Sequence, residues 1–183
     1  MLDSATSPLI TRAGPDDIPG IRDLMMRAIN QLQAGFLTQD QVTASHAVMG
    51  LDTQLIADGT YVIAWLEGRM AGCGGWSYRA TLYGGDHSAD QRDARQLIPG
   101  QDPARIRAMY THPDFVRRGI GRLILKTCET AAAHAGFDRA ELMATLSGEP
   151  LYSASGYTPI ETVGDKVNGI TVPLIRMGKR IGD

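Results

Sequence analysis

Two glycines and three arginines lie together at the start of a predicted helix, in the run Val116, Arg117, Arg118, Gly119, Ile120, Gly121 and Arg122. The first N–H groups of a helix have no partner within the helix, and they lie at the positive end of its dipole. Glycine lets an anion approach this backbone closely, because no Cβ stands in the way. The arginines add positive charge beside it. The run therefore predicts an anion site that suits a pyrophosphate.

The glycine spacing excludes two familiar phosphate-binding motifs. A P-loop requires Gly-Lys followed by Ser or Thr, and no such sequence follows Gly121. A dinucleotide-binding fingerprint requires a third glycine at the position that Ile124 occupies. The simplest alternative to an anion site is a glycine turn that starts a buried helix and leaves its arginines in solvent.

The same run resembles the acetyl-CoA pyrophosphate loop of the GNAT N-acetyltransferase superfamily, whose pattern is Gln/Arg-x-x-Gly-x-Gly/Ala. A second segment, Leu151-Tyr152-Ser153-Ala154-Ser155-Gly156-Tyr157, resembles the Leu-Tyr-x-x-x-Gly-Phe segment that follows the fifth strand in this family. The likeness extends over about residues 9–177. Two positions depart from the pattern: Val116 replaces Gln or Arg, and Thr145 stands where Asn is frequent.

The resemblance implies an α+β protein with the GNAT fold: a central mixed, mostly antiparallel sheet of about six to seven strands, flanked by about four helices. It implies one domain over residues 1–183, with an irregular insertion at 80–103 between the third and fourth strands. The implied activity is transfer of the acetyl group of acetyl-CoA to an amine of a small molecule or peptide, by direct attack in a ternary complex. The alternative is a non-catalytic acyl-CoA-binding module with the same fold, in a regulatory or interaction role.

The resemblance also implies roles for individual residues. A backbone N–H at a bulge in the fourth strand would bind the acyl carbonyl oxygen. The phenol of Tyr152 would protonate the departing thiolate, since the two groups have comparable proton affinities. Its alternative role is to pack its helix against the sheet. Besides the run 116–122, the implied acetyl-CoA-binding residues are Met109, Tyr110, Thr111, Thr145, Ser147 and Tyr152.

The general base has several candidates. An alkylamine is protonated at neutral pH, so the reaction needs a base or a site that favours the neutral amine. We expect the base at His87 or Asp86, in the irregular insertion. Glu141, Glu67 and a chain of waters stay open as alternatives. The acidic residues Asp86 and Asp90 favour a cationic small molecule as the acceptor.

The elements that must position these residues follow from hydrophobic periodicity and from turn residues. The patterns predict strands at 9–12, 61–66, 70–78, 105–110, 139–144, 158–163 and 169–177. They also predict four helices. The first follows Asp16 as its N-cap, the second spans about 39–49, the third begins at Ile120 and ends before Gly136, and the fourth follows Ser147 as its N-cap. The glycines near 72–75 predict a bulge or a close backbone approach, and Pro173 predicts an edge position or a bulge.

The composition limits the kinds of molecule that the protein is expected to bind. A net charge of −2 over 183 residues gives no global attraction to nucleic acid or to an anionic membrane. The two cysteines and four histidines lack metal-ligand spacing, so we expect no metal and two core thiols in a reducing compartment. No apolar run approaches the ~20 residues of a membrane span, and residues 1–6 lack the features of a signal peptide. We therefore expect a cytoplasmic protein, and the family resemblance allows a homodimer.

Overall fold

The computed structural model describes residues 7–88 and 92–182, and in these ranges the chain forms seven strands and five α-helices. The strands are β1 Leu9–Arg12, β2 Tyr61–Leu66, β3 Arg69–Ser77, β4 Ala104–Thr111, β5 Arg139–Thr145, β6 Thr158–Val167 and β7 Ile170–Arg180. The helices are α1 Ile18–Leu32, α2 Gln39–Val48, α3 Thr53–Ala57, α4 Ile120–His134 and α5 Glu149–Ala154. Asp90 and the first six residues lie outside the described ranges.

One sheet holds all seven strands, in the order β1-β2-β3-β4-β5-β7-β6. Every neighbouring pair is antiparallel except β4 and β5. The parallel pair is short, because β4 and β5 pair only from Ala104 opposite Ala140 to Arg105 opposite Glu141. The strands are not paired beyond this point, and the gap that opens between them lies in the middle of the sheet.

Helices cover both faces of the sheet. Alternate residues of a strand point to opposite faces, and in β2 the residues Tyr61 and Ile63 pack in the hydrophobic cluster of α1. Their neighbours Ala64 and Leu66 pack in the cluster of α4 and α5. The gap between β4 and β5 therefore connects the α4 face with the α1 face.

The glycines of β3 let α4 approach the sheet closely, as the sequence predicts. A Cβ added at Gly72 would lie 2.7 Å from Ile120 Cγ2, and one at Gly74 would lie 2.5 Å from Met109 Sδ and 2.8 Å from Ile124 Cγ2. Contacts this short do not occur for real side chains, so neither position has room for one. The close fit fixes the start of α4 against the centre of the sheet.

The fold agrees with the expected architecture, and its fifth helix, the short α3, has too few turns for a visible periodicity. Three local predictions are wrong. Asp17, not Asp16, is the N-cap of α1, and Gly148, not Ser147, is the N-cap of α5. Residues 164–168 separate the expected strands 158–163 and 169–177, but they lie mostly in β6. The chain reverses instead at Asn168 and Gly169, whose φ values are 48° and 80°.

Pro173 lies in β7, which is an interior strand of the sheet. The pairing of β5 with β7 ends at Thr145 opposite Leu174, one residue before Pro173 is reached. Pro173 is therefore paired only with Gly164 of β6, and its position is locally an edge. The prediction of an edge position is confirmed in this limited sense.

The insertion at 80–103 is tied to the body of the protein over its described residues. Backbone bonds join Ala80 N–H to the Arg95 carbonyl oxygen at 2.9 Å and Leu97 N–H to the Tyr78 carbonyl oxygen at 2.7 Å. Leu97 is 5% exposed and packs in the α4 cluster. These contacts hold the ends of the segment against the body of the protein, while residues 92–96 are exposed. Within the described ranges no helix has the length and apolar character needed to cross a bilayer.

Candidate active site

A cavity of about 880 Å³ occupies the gap between β4 and β5 and opens toward both faces of the sheet. We call the part on the α4 side the loop half; its lining includes Thr111 and residues 116–117, 119–122, 147–148 and 150–152. We call the part on the α1 side the apolar half. Its lining includes Ile29, Leu32, Gln33, Phe36, Val48, Met49, Leu82, Tyr83, Met143 and Leu174.

The loop half is shaped by backbone conformation. Arg117 and Gly119 have φ values of 60° and 79°, and Gly119 is the N-cap of α4. This left-handed conformation is one that glycine adopts without strain, and it turns the chain so that the first N–H groups of α4 lie at the cavity. Gly121 faces α5, because an added Cβ there would lie 2.9 Å from Leu151 Cδ2. The two glycines thus leave the helix N-terminus open, as the sequence predicts.

The three arginines of the loop differ in position. Arg117 and Arg122 line the cavity. The guanidinium of Arg118 lies outside the lining and instead binds Glu67 at 2.7 Å, with its Cζ 5.5 Å from the centre of the Phe115 ring. The side chain of Arg118 therefore attaches the loop to the β2–β3 hairpin. Val116 also lines the cavity, as predicted for backbone contact.

A bulge interrupts β4 at the wall of the cavity. Cys73 pairs with Tyr110 and Gly75 with Arg107, so that Gly74 alone faces two residues, Ala108 and Met109. Ala108 has a φ of 48°, a strained value for a residue with a side chain. The hydroxyl of Tyr61 donates a hydrogen bond of 2.6 Å to the Ala108 carbonyl oxygen and holds this conformation. The bulge lies where the resemblance implies it, next to Met109 and Tyr110.

Tyr152 reaches the cavity from α5. It is 8% exposed, its ring packs edge-on against Tyr157 at 6.0 Å, and burial raises the pKa of its phenol. Among the described residues its hydroxyl has no hydrogen-bond partner, and the side chain lines the cavity. A buried phenol that keeps its proton and lacks a protein partner is suited to donate that proton to a ligand.

Thr145 and Ser147 lie between β5 and α5. The Thr145 hydroxyl accepts a hydrogen bond of 3.1 Å from Gly148 N–H and lies 3.1 Å from the Ser147 hydroxyl. Both residues line the cavity. They close the turn before α5, and they present hydroxyl groups along the path from the α4 N-terminus to the bulge.

The two expected base residues lie elsewhere. Asp86 accepts hydrogen bonds of 2.9 Å from both the backbone N–H and the hydroxyl of Thr53, and it lies 3.4 Å from Arg92. His87 Nε2 lies 2.9 Å from the Ala47 carbonyl oxygen. Neither residue lines the cavity between the strands; both border a separate depression of about 350 Å³ on the surface. In this structure their contacts join the insertion to α2 and α3.

The two alternative carboxylates are also engaged. Glu141 binds Arg105 at 2.8 Å and Arg176 at 2.6 Å, at the point where β4 and β5 separate. Glu67 binds Arg118 on the surface. Within residues 7–88 and 92–182, the lining of the cavity contains no carboxylate and no imidazole. Arginine and tyrosine are the ionisable residues that this part of the chain contributes to the wall.

Sequence reasoning missed three residues of the site. Tyr61 supports the bulge from β2, and Arg107 lies in the wall at 3% exposure, bound to Asp52 at 3.2 Å and to the Gly84 carbonyl oxygen at 2.9 Å. Gln33 follows α1 and is 3% exposed. Its spacing of four residues from the buried Ile29 was a usable signal, because it places a polar side chain on the core-facing side of the helix.

The remaining chemistry-bearing groups give no further centre. Cys73 and Cys128 are free and buried, and burial raises the pKa of each thiol to about 12. Neither lines the cavity. Among the residues that the structure describes, no group of three or more His, Cys, Asp or Glu side chains is placed to hold a metal ion.

Comparisons with known proteins agree with this geometry. Residues 26–157 match the model of the acetyltransferase (GNAT) family. No curated protein sequence matches the chain. A GCN5-related N-acetyltransferase from Rhodopseudomonas palustris is similar with a TM-score of 0.70 and 19% identity, over 97% of this chain and 98% of that one.

Two further solved structures are similar. The PaiA N-acetyltransferase of Thermoplasma acidophilum, in complex with coenzyme A, has a TM-score of 0.62 at 12% identity and covers 95% of this chain and 99% of that one. A ribosomal-protein-alanine N-acetyltransferase from Brucella melitensis has a TM-score of 0.61 at 15% identity, with 94% and 99% covered. At these identities the likeness shows the shared fold, which is the one that the sequence motifs imply.

Proposed function

This chain belongs to the GNAT acetyltransferase family, and on that premise we propose that it is an N-acetyltransferase that moves the acetyl group of acetyl-CoA to an amine, by direct attack in a ternary complex. One observation carries the proposal. The N-terminus of α4, the β4 bulge and the Tyr152 hydroxyl all lie on one cavity, between two strands that separate. These are the parts that acetyl transfer needs: an anion site, donors for a carbonyl oxygen, and an acid.

The loop half fits the pyrophosphate of acetyl-CoA. A Cβ added at Gly119 would meet nothing within 4 Å, and Gly121 has no room for one. The first N–H groups of α4 therefore lie open, with Arg117 and Arg122 beside them. We assign to this backbone the binding of the phosphates, and to Thr145 and Ser147 hydrogen bonds to the pantetheine arm. Acetyl-CoA supplies a thioester whose carbonyl carbon is open to attack.

The bulge supports the carbonyl end of the donor. Residues 108–110 leave the regular pairing of β3 with β4 at the wall of the cavity. A backbone N–H released in this way can bind a carbonyl oxygen more strongly as negative charge builds up on it. We assign this N–H to Met109 or Tyr110. Tyr61 keeps the bulge in place through its bond to Ala108.

Tyr152 is the proposed acid. Burial raises its pKa, so the phenol holds its proton at neutral pH. A thiolate that leaves in the same desolvated site has its own proton affinity raised by burial, so it can take up this proton. A covalent route through a cysteine has little support, because both thiols are buried away from the cavity and stay protonated.

The test measures acetyl-CoA binding and acetyl transfer to amines in one experiment. Acetyl-CoA at ~100 times its Kd should stabilise the folded protein by about 2.7 kcal/mol, which raises the melting temperature by a few degrees. Release of free CoA is then measured with a panel of amines. Binding without release from any amine would favour the non-catalytic acyl-CoA-binding module instead. Absence of binding would contradict both functions.

A further inference from the structure

We propose that the acceptor is a small primary monoamine with an apolar body, and that the amide of Gln33 receives its amino group. This inference rests on the proposed acetyl transfer and specifies its substrate. Three features of the apolar half support it: the aliphatic and aromatic side chains of its wall, the unsatisfied amide of Gln33, and a lining that, among the described residues, contains arginine but no carboxylate.

The wall of the apolar half is built from aliphatic and aromatic side chains. They come from four separate parts of the chain: α1 and the residues after it, the end of α2, the insertion, and the strands β5 and β7. Phe36 stands at the rim with 52% of its surface exposed. The whole cavity of about 880 Å³ must also hold the pantetheine arm. The remaining space suits a small molecule with an apolar group, and it excludes a folded protein surface.

Gln33 is the exception in this wall. The residue is 3% exposed, and its Oε1 has no hydrogen-bond partner among the described residues. Its Nε2 contacts only Met49 Sδ, at 3.5 Å, which is a weak acceptor. A buried amide without strong partners is unusual in native proteins and is expected to gain a partner when a ligand binds. The amide is free to turn, because the sulfur contact holds it weakly.

A short series of contacts joins Gln33 to the bulge. Met49, which touches the Gln33 amide, precedes Gly50 in the chain, and Gly50 N–H donates a hydrogen bond of 3.1 Å to the Tyr110 hydroxyl. Tyr110 follows the bulge in β4. Gln33 therefore lies on the acceptor side of the strand that is proposed to hold the acyl carbonyl. An amine bound by Gln33 would face that carbonyl across the gap.

The charges around the apolar half disfavour a polycation. No carboxylate lines the cavity within the described ranges, whereas Arg107 lines its apolar half. Three acids near this half already have partners. Asp52 pairs with Arg107 at 3.2 Å and with Arg92 at 3.1 Å, Asp86 pairs with Arg92, and Asp165 is hydrogen-bonded to Tyr83. A polyamine or aminoglycoside would find positive charge and no free partner for its second ammonium group. This proposal differs from the cationic acceptor that Asp86 and Asp90 favour in the sequence.

The same arrangement favours the reactive form of a monoamine. An apolar wall and nearby guanidinium groups both destabilise an ammonium ion and so favour the neutral amine. The amide oxygen of Gln33 can accept an N–H of that amine without the charge that a carboxylate would bring. The site can thus prepare the nucleophile without a dedicated base. The titratable or charged groups of the cavity wall are Tyr83, Arg107, Tyr110, Arg117, Arg122 and Tyr152.

The experiment compares three acceptors with saturating acetyl-CoA: phenethylamine, spermidine and a short peptide with a free apolar N-terminus. We expect kcat/KM for phenethylamine to exceed that for spermidine and for the peptide by at least about tenfold, since a desolvated second charge or a bulky chain is costly in this wall. A preference for spermidine or the peptide would overturn the inference and leave acetyl transfer standing. Acetyl-CoA binding without turnover of any amine would overturn acetyl transfer and this inference with it.

Two variants test Gln33 itself. Gln33→Met keeps the volume and removes the amide, so KM for phenethylamine should rise about tenfold while the Kd of acetyl-CoA stays within twofold. Gln33→Glu adds a carboxylate that stabilises the ammonium form, so the acidic limb of the kcat/KM profile should move about one pH unit upward. Gln31→Met is the matched control, because Gln31 lies on α1 with its side chain exposed. An unchanged KM in Gln33→Met, or an unmoved pH profile in Gln33→Glu, would contradict the assignment.

Discussion

The two halves of the cavity are built by opposite strategies. The loop half is made by one continuous segment with α5 against it, and its chemistry comes from backbone N–H groups that the φ values of Arg117 and Gly119 expose. The apolar half is assembled from four distant parts of the chain, and its chemistry comes from side chains such as Gln33 and Arg107. A shared co-substrate can be bound by the first kind of site, and an individual acceptor is selected by the second.

This difference predicts which kinds of substitution should impair each half of the cavity. Backbone chemistry is insensitive to most side-chain changes, but it is lost when a glycine gains a Cβ or when a support of the backbone is removed. Side-chain chemistry depends on single residues and on the ion pairs that hold their segments together. The following predictions test this division, from the largest expected effect to the smallest.

Tyr152→Phe removes the proposed acid where the two halves meet. We expect kcat to fall about 100-fold, within the usual contribution of general acid catalysis. The Kd of acetyl-CoA should stay within twofold, because the ring and its packing on Tyr157 remain. Single-turnover kinetics separate the two effects. A kcat equal to that of the wild type would show that Tyr152 only packs α5 against the sheet.

Gly121→Leu attacks the loop half through its backbone. The added side chain starts 2.9 Å from Leu151 Cδ2 and fills the space before the α4 N-terminus. We expect acetyl-CoA to bind about 30-fold more weakly, which corresponds to ~2 kcal/mol of overpacking. Calorimetric titration measures this loss. Gly14→Ala is the control, because an added Cβ there would meet only Asp17 Oδ2, at 3.9 Å; equal affinities in the two variants would contradict the role of the loop.

Tyr61→Phe tests a support that serves the bulge without touching the ligand. Its hydroxyl is lost from the 2.6 Å bond to the Ala108 carbonyl oxygen, which leaves a partly buried acceptor unpaired on a strained residue. We expect kcat to fall about tenfold with little change in KM for the amine, as for a group that positions the carbonyl donor. A lower melting temperature of the ligand-free protein, together with a lower kcat and a higher KM, would indicate general damage to the sheet instead.

Asp58→Asn tests an ion pair between the end of α3 and Arg79, which directly precedes the insertion. Arg79 donates two hydrogen bonds, of 2.7 and 2.8 Å, to Asp58, and these bonds hold the pKa of the carboxyl below its ordinary value. Because the pKa is lowered in the folded state, this stabilisation is present above the unfolded pKa of ~3.9 and is lost as the pH falls through the folded pKa. We expect the variant to be less stable by about 1 kcal/mol at pH 7, and we expect this difference to shrink as the pH falls below ~3.9.

Melting temperatures of Asp58→Asn and of the wild type between pH 2 and 7 give this difference directly. Asp23→Asn is the matched control, because Asp23 forms an ion pair with Arg27 in which both side chains are about half exposed. Such a pair should change the melting temperature little at any pH. A gap between Asp58→Asn and the wild type that persists at low pH would contradict the carboxylate as its source.

The loop half could be predicted from the sequence because its geometry is local. Glycine at 119 and 121 determines the backbone of the turn, and the helix that follows is visible in its periodicity. The positions of Met109 and Tyr110 at a bulge came from the family resemblance, since no residue type marks a bulge in β4. Glu67 and Gly68, with φ values of 54° and 72°, likewise form the hairpin turn that the sequence indicates.

The apolar half could not be predicted in the same way. The proposed role of Gln33 depends on its contact with Met49 and on the hydrogen bond between Gly50 and Tyr110. Only tertiary packing brings these residues together. Asp86 and His87 have the residue types of a base, but the hydrogen bonds of the insertion direct them to α3 and to the Ala47 carbonyl oxygen. Residue type indicated chemistry there, while position depended on contacts between segments far apart in the sequence.

The two buried cysteines can report how readily each face of the sheet opens. Cys73 packs with the α1 cluster and Cys128 with the α4 cluster, so one thiol reports on each face of the sheet. A thiol reagent reaches them only when the surrounding structure opens, and the rate of labelling measures the free energy of that opening. Mass spectrometry of the two labelled peptides would then show separately how acetyl-CoA steadies the α4 face and how an acceptor steadies the α1 face.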